Sequence, residues 1–128
     1  MKIRLNRVFV EDQDAALTFY TKTLGFEKKT EIPMGEYRWL TVVSPDDPTG
    51  AELVLEPNVH PAARAYQAAL FKDGIPATAL ESSNVDADYS RLIALGVQFT
   101  VEPVDAGGTR MAVFDDTCGN KIQIYQAP

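Results

Sequence analysis

Residues 10–26, "VEDQDAALTFYTKTLGF", carry the pattern on which the fold reading rests. Asp12 is placed to cap a helix starting near Gln13, because an N-cap carboxylate accepts a backbone N–H that the first turn leaves unpaired. Ala16, Phe19, Tyr20, Thr23 and Leu24 then fall at helical spacing on one face. Gly25 ends the run, as a residue tolerant of positive φ does at a helix C-terminus. The spacing predicts a helix over about 13–23. Before it, "IRLNRVFV" (3–10) has the β-branched content of a strand. After it come a strand near 26–32, a break at Pro33 to Gly35, and a strand over "YRWLTVVS" (37–44). The turn "PDDPTG" then leads into a strand over "AELVLEP" (51–57).

The second half repeats this order. A strand near 75–82 precedes "NVDADYSRLIALGV" (84–97), in which Val85, Tyr89, Leu92 and Ile93 share a helical face and Gly96 closes the helix. Strands follow near 97–103, 109–115 and 120–126. Leu24-Gly25-Phe26 and Leu95-Gly96-Val97 are matching landmarks. The expected fold class is α+β, with two βαβββ modules, about 1–57 and 74–128, in a single domain. Neither module buries its sheet alone, so the two pair to make one curved mixed sheet around a cavity. The alanine-rich segment 58–73 between them predicts a short helix from about Ala62 to Phe71, with Pro61 in its first turn. Tyr66, Leu70 and Phe71 give that helix an apolar side, to cover a sheet edge or meet another subunit.

Composition narrows the function classes. The 128 residues are 45% hydrophobic, enough for one packed domain. A formal charge of -6 and a pI near 4.7 argue against nucleic acid or anionic membrane as a partner, since both require a basic footprint. No apolar run approaches the roughly 20 residues that span a bilayer, and "MKIRLNRVFV" is charged where a signal peptide is apolar, so a cytoplasmic location is expected. Cys118 is the only cysteine, which rules out an intrachain disulfide and a multi-cysteine metal site. Asp115 and Asp116 beside it oppose thiolate formation and Lys121 offsets them only in part, so Cys118 reads as a turn residue rather than a nucleophile. There is no Ser-His-Asp set, phosphate loop or zinc-spaced cysteine pair.

The order of elements, with "VEDQDAALTFYTKTLGF" in the first half and "FDDTCGNKIQI" (114–124) in the second, resembles the vicinal oxygen chelate superfamily. That superfamily contains glyoxalase I, extradiol dioxygenases, fosfomycin-resistance enzymes and the metal-free bleomycin-resistance proteins. Its metal enzymes take ligands from the first and last strands of each module. The resemblance places those four positions at or near Leu5, Val54, Ala77 and Gln123, where the side chains are apolar or weak donors. A divalent cation requires imidazole nitrogen or carboxylate oxygen. The one histidine, His60, precedes Pro61, away from all four positions, and is expected in a loop or helix-start role. Glu52 and Glu56 flank Val54 on the same strand face, but a span of roughly 13 Å along the strand leaves each needing its own partner. The metal site is expected to be absent and no cofactor is expected, a divalent metal being the alternative.

Without a metal, the concave side becomes a pocket lined by Leu5, Arg7 and Phe9, by Ala77 and Ala79, and by Gln123 and Tyr125. The candidate ligand-binding residues are Arg7, Phe9, Trp39, Glu52, Glu56, Gln123 and Tyr125. Arg7 either meets an anionic ligand group or pairs with Glu52 or Glu56. Trp39 either stacks on a ligand or fills the core, and the faces of Arg38, Trp39, Arg110 and Met111 are not decided by the pattern. The resemblance implies a protein that holds a small organic molecule. The alternative is an enzyme, a glyoxalase-like lyase, an isomerase or a dioxygenase. It would depend on a metal, or work without one using Glu52 or Glu56 as base. Exposed sheet edges point to a homodimer.

Overall fold

The computed structural model describes residues 1–128, which divide into two compact units, Met1–Arg64 and Ala65–Pro128. The first holds β1 (Leu5–Val10), α1 (Gln13–Thr18) with a π-type continuation over Phe19–Thr23, β2 (Glu27–Met34), β3 (Tyr37–Val43) and β4 (Glu52–Pro57). The helix α2 (Pro61–Asp73) runs across the division. The second unit continues with β5 (Thr78–Glu81), α3 (Val85–Ala94), β6 (Phe99–Ala106), β7 (Thr109–Asp115) and β8 (Lys121–Gln126). Hydrogen bonding makes two four-stranded mixed sheets, in the orders β1-β4-β3-β2 and β5-β8-β7-β6. In each sheet the first strand lies parallel to the last and the other neighbours are antiparallel. The α+β class and the twofold βαβββ order are those expected.

The helix starts are built alike. Asp12 Oδ1 accepts from the Ala15 N–H at 3.0 Å, and Asn84 Oδ1 accepts from the Ala87 N–H at 3.0 Å. At the far end of α3, Gly96 has φ near +87° while the N–H groups of Val97 and Gly96 bond to the carbonyls of Leu92 and Ile93, both at 3.0 Å. This paired closure uses the left-handed conformation that glycine adopts without strain. The first helix has one residue more between its cap and Gly25 than α3 has between Asn84 and Gly96. The extra residue is taken up by the π turn, where the Leu24 N–H reaches the Phe19 carbonyl at 3.0 Å.

One face of each sheet packs under its helix. In the first unit Val8, Val10, Leu40, Val42 and Leu55 lie buried with Ala16 and Tyr20. In the second, Ala112, Phe114, Ile122 and Ile124 lie buried with Val85 and Leu92. Each fully buried aliphatic side chain contributes about 1.5–3 kcal/mol relative to exposure. Ile93, expected on the packed face of α3, is 45% exposed. It sits at the edge of the stripe, and the inward position beside it belongs to Leu92. Tyr89 fills the intervening place, with its ring edge-on to Phe99 at 4.7 Å between centroids.

The apolar side expected of α2, to cover a sheet edge or meet another subunit, is left largely uncovered within the chain. Tyr66 is 60% exposed, whereas Gln67 is buried. The Gln67 amide donates to the Cys118 carbonyl and to Asn120 Oδ1, both at 3.2 Å, so a polar side chain can turn inward at little cost. Phe71 sits at the surface with Lys121 Nζ 4.1 Å from its ring centroid. No helix is long and apolar enough to cross a membrane.

Candidate functional site

The faces turned away from α1 and α3 hold the candidate residues. In the first unit the parallel register pairs Leu5 with Glu52, Arg7 with Val54 and Phe9 with Glu56, so all six share the face opposite Val8, Val10 and Leu55. Thr41 joins them through its pairing with Val54. The Arg38 guanidinium reaches Asp14 of α1 at 2.6 Å, which assigns Arg38 to the helix side and Trp39 to the open face. Trp39 is half-buried there, paired with exposed Ile32.

The two glutamates of this face are held separately. Glu52 Oε1 accepts from the Thr41 hydroxyl at 2.8 Å, and Lys29 Nζ lies 3.5 Å from its Oε2. Arg7 Nη1 lies 3.0 Å from Glu56 Oε2, so Arg7 takes the ion-pair role. The Arg7 side chain is 59% exposed, which limits the pair to about 1 kcal/mol or less. Glu56 Oε2 is itself buried and accepts no hydrogen bond, since Arg7 approaches it closely but out of line.

Gln13 is a member of this region that the sequence reading does not single out. Its buried amide donates to the carbonyls of Arg38 at 2.7 Å and Leu55 at 2.9 Å, and its oxygen accepts from the Arg38 N–H at 3.1 Å. The usable signal was its place on the apolar stripe of α1, three residues before Ala16 and seven before Tyr20.

In the second unit Ala79 pairs with Gln123 and Glu81 with Tyr125, while Gln123 pairs with Val113 and Tyr125 with Met111. These side chains share the face opposite Ile122 and Ile124, and Val101 and Val104 extend it at the exposed edge. Arg110 bonds to Asp86 of α3, so Arg110 is on the helix side and Met111 on the open face. The hydrogen bond from Arg110, against a smaller opposing effect of desolvation, holds the Asp86 carboxyl below its usual range. Loss of water contact, then the nearby Glu102 carboxylate, raises the Tyr89 phenol.

The turn before β8 is locked from inside. Fully buried Asp116 accepts through Oδ1 from the N–H groups of Cys118 at 2.7 Å and Asn120 at 3.0 Å, and through Oδ2 from Asn120 Nδ2 at 2.9 Å. Cys118 is 2% exposed, in the turn role expected of it. Beside this turn Gly96, Gln98, Asp115 and Thr117 line a cavity of about 330 Å³. Its Asp115 is already engaged by the Thr117 N–H at 2.7 Å and by Lys121 at 3.5 Å.

Of the four positions where metal ligands are expected, Leu5 and Val54 lie on the open face of the first sheet and Gln123 on that of the second. Ala77 lies just before β5, its N–H bonded to the Lys121 carbonyl at 2.8 Å. No three His, Cys, Asp or Glu side chains gather so as to hold a metal ion. His60 starts α2: its carbonyl accepts from the Arg64 N–H at 3.1 Å and its Nδ1 from the Ala62 N–H at 3.0 Å.

The sequence model of the Glyoxalase/Bleomycin resistance protein/Dioxygenase superfamily matches residues 3–124. The chain belongs to this superfamily. Within it, the chain is 56% identical over 126 residues to the uncharacterized protein YurT of Bacillus subtilis strain 168, covering 98% of this chain and 99% of YurT. Among solved structures, that of UcmS2 superposes with a TM-score of 0.83 at 35% identity, covering 98% of this chain and 97% of that one. The structure of TnmS3, an antibiotic-binding protein from Streptomyces sp. CB03234, superposes with a TM-score of 0.76 at 28% identity, covering 100% and 97%.

Proposed function

We propose that this protein binds a small organic molecule on the open faces of its sheets, without a metal ion. The observation that carries the reading is the donor set. Leu5, Val54 and Ala77 have no ligating atom, Gln123 has only a neutral amide, and the nearby glutamates are tied to Lys29, Thr41 and Arg7. These residues do not fit a divalent cation. What they leave is apolar wall with a few polar groups, the usual lining for an organic ligand. The likeness to TnmS3, which binds an antibiotic, supports the same broad ligand class. Exposed Leu5 and Ile32 on the first sheet, and Val101 and Val104 on the second, favour a homodimer that covers them.

Unfolding with and without Ni²⁺, Mn²⁺ or Zn²⁺ tests the metal-free reading. Neither the parent nor Gln123→Glu should gain saturable stability, because Leu5, Val54 and Ala77 supply no donor in either. Stabilisation of the parent overturns the reading. Stabilisation of the variant alone makes Gln123 the one missing ligand and puts a lyase or dioxygenase ahead of simple binding. Native mass spectrometry of the purified protein should show twice the 14.1 kDa chain mass, with a co-purified organic ligand as the direct support.

A further inference from the structure

The cavity beside the turn from β7 to β8 opens where α3 ends, lined by Gly96, Gln98, Asp115 and Thr117. These four bring an amide, a carboxylate, a hydroxyl and bare backbone, so the lining is polar where the open faces are largely apolar. A Cβ placed on Gly96 would meet nothing within 4 Å. Three polar groups there are able to take a ligand. The Gln98 amide and the Thr117 hydroxyl have no hydrogen-bond partner in the chain. Asp115 Oδ1 accepts from the Thr117 N–H at 2.7 Å, but Oδ2 has only the Lys121 ammonium, at 3.5 Å. That distance is long for a charge-assisted hydrogen bond. Lys121 Nζ leans instead on the Phe71 ring, 4.1 Å from its centroid, and the Asp115 side chain remains 28% exposed.

The local charge has a definite sign. The end of β7 and the turn after it supply two carboxylates, Asp115 and Asp116, against the one ammonium of Lys121. The carbonyl end of the ten-residue α3, at Leu95 and Gly96, adds partial negative charge. The first module has no such group. Counting back from Val54 and Gln123, Val43 opposite Glu52 holds the place of Asp115 opposite Lys121, and Val43 is buried. On the cavity wall Thr117 keeps a φ near +62°, a conformation that costs a β-branched residue energy and that clusters at functional sites. We infer that this cavity is a second binding site, for a small organic cation ending in a guanidinium or primary ammonium group. Asp115 Oδ2 is its counter-ion, and the Gln98 and Thr117 side-chain oxygens accept its remaining N–H groups. The site does not depend on the open-face reading.

Methylguanidinium is the probe, set against methylurea, which has nearly the same shape and no charge. An amide NMR titration of the parent should show saturable shifts at Gly96, Gln98, Asp115 and Thr117, with a Kd on the order of millimolar for so small a ligand. Methylurea should bind roughly tenfold more weakly, and so should methylguanidinium to Asp115→Asn, because each change turns a charged hydrogen bond into a neutral one. Gln98→Ala, at an exposed side chain without a partner, should fold normally and also weaken methylguanidinium. It keeps the test decisive if Asp115→Asn is destabilised. Glu36→Gln removes the same charge from the exposed β2–β3 hairpin and should leave the affinity unchanged. Shifts that do not saturate, equal affinity for the two probes, or an affinity unmoved by Asp115→Asn or by Gln98→Ala would each overturn the proposal. A loss with Glu36→Gln as large as that with Asp115→Asn would overturn it too, since attraction to the net charge of the chain would then account for the binding.

Discussion

Arg110 grips Asp86 through two guanidinium nitrogens, Nε to Oδ2 at 2.7 Å and Nη2 to Oδ1 at 2.9 Å, and ties β7 to the first turn of α3. The first module repeats the device with Arg38 and Asp14 at 2.6 Å. In each case a second acid on the neighbouring strand supports the arginine, Asp105 at 3.2 Å or Glu31 at 3.7 Å. A carboxylate at the start of a helix is favoured by the dipole as well as by the arginine.

The clamp on Asp86 predicts acid sensitivity of a definite sign. Its folded value is depressed, while the unfolded chain titrates near the ordinary aspartate value of about 3.9. The stabilisation is therefore complete above that value and is lost as pH falls through the folded one. Asp86→Asn should lower the urea midpoint at pH 7, with the difference shrinking below about pH 4. Urea unfolding from pH 2 to 7 checks this, and a gap of constant size would contradict it.

Asp116→Ala should cost about 3 kcal/mol or more, because it strips a buried carboxylate from the N–H groups of Cys118 and Asn120 and from the Asn120 amide. Chemical denaturation measures the loss. A change under about 1 kcal/mol would show that the turn is held by something else.

Thr117 has φ near +62°, an uncomfortable value for a β-branched residue. Thr117→Asn should raise stability by about 0.5–1 kcal/mol, since asparagine tolerates that region better. Thermal unfolding reads the effect, and a lower melting temperature would count against it.

With its single thiol 2% exposed, the folded protein should react with Ellman's reagent only as fast as it opens. A rapid full-amplitude reaction in native buffer would contradict that burial. The same assay in urea should accelerate in step with unfolding.

The parts of this fold that are plain in the sequence are local ones. Asp12 and Gly25 act on backbone groups a few residues away, so cap and stop identify the helix without knowledge of the rest. The face of Trp39 is different. Thr41 and Val43 on one side of β3 are as buried as Leu40 and Val42 on the other, and the side is decided by Arg38 meeting Asp14, 24 positions earlier. The inner side of α2 is hidden for a similar reason, as Gln67 finds its partners 51 and 53 positions along the chain. Gln13 escapes notice because an amide among apolar residues becomes acceptable only once two distant strands offer it backbone groups.

The π turn of the first helix acts as a length buffer. One residue inserted into a strand throws every later side chain to the opposite face, whereas over Phe19–Thr23 it only widens a single turn. Buried Tyr20 and the reversal at Gly25 keep their stations, and the strands that follow keep their register. Removing exposed Lys22 from the chain would leave a helix of the same span as α3 without disturbing β2. Two modules with the same order of elements can in this way differ in length at a helix and still present matching sheets.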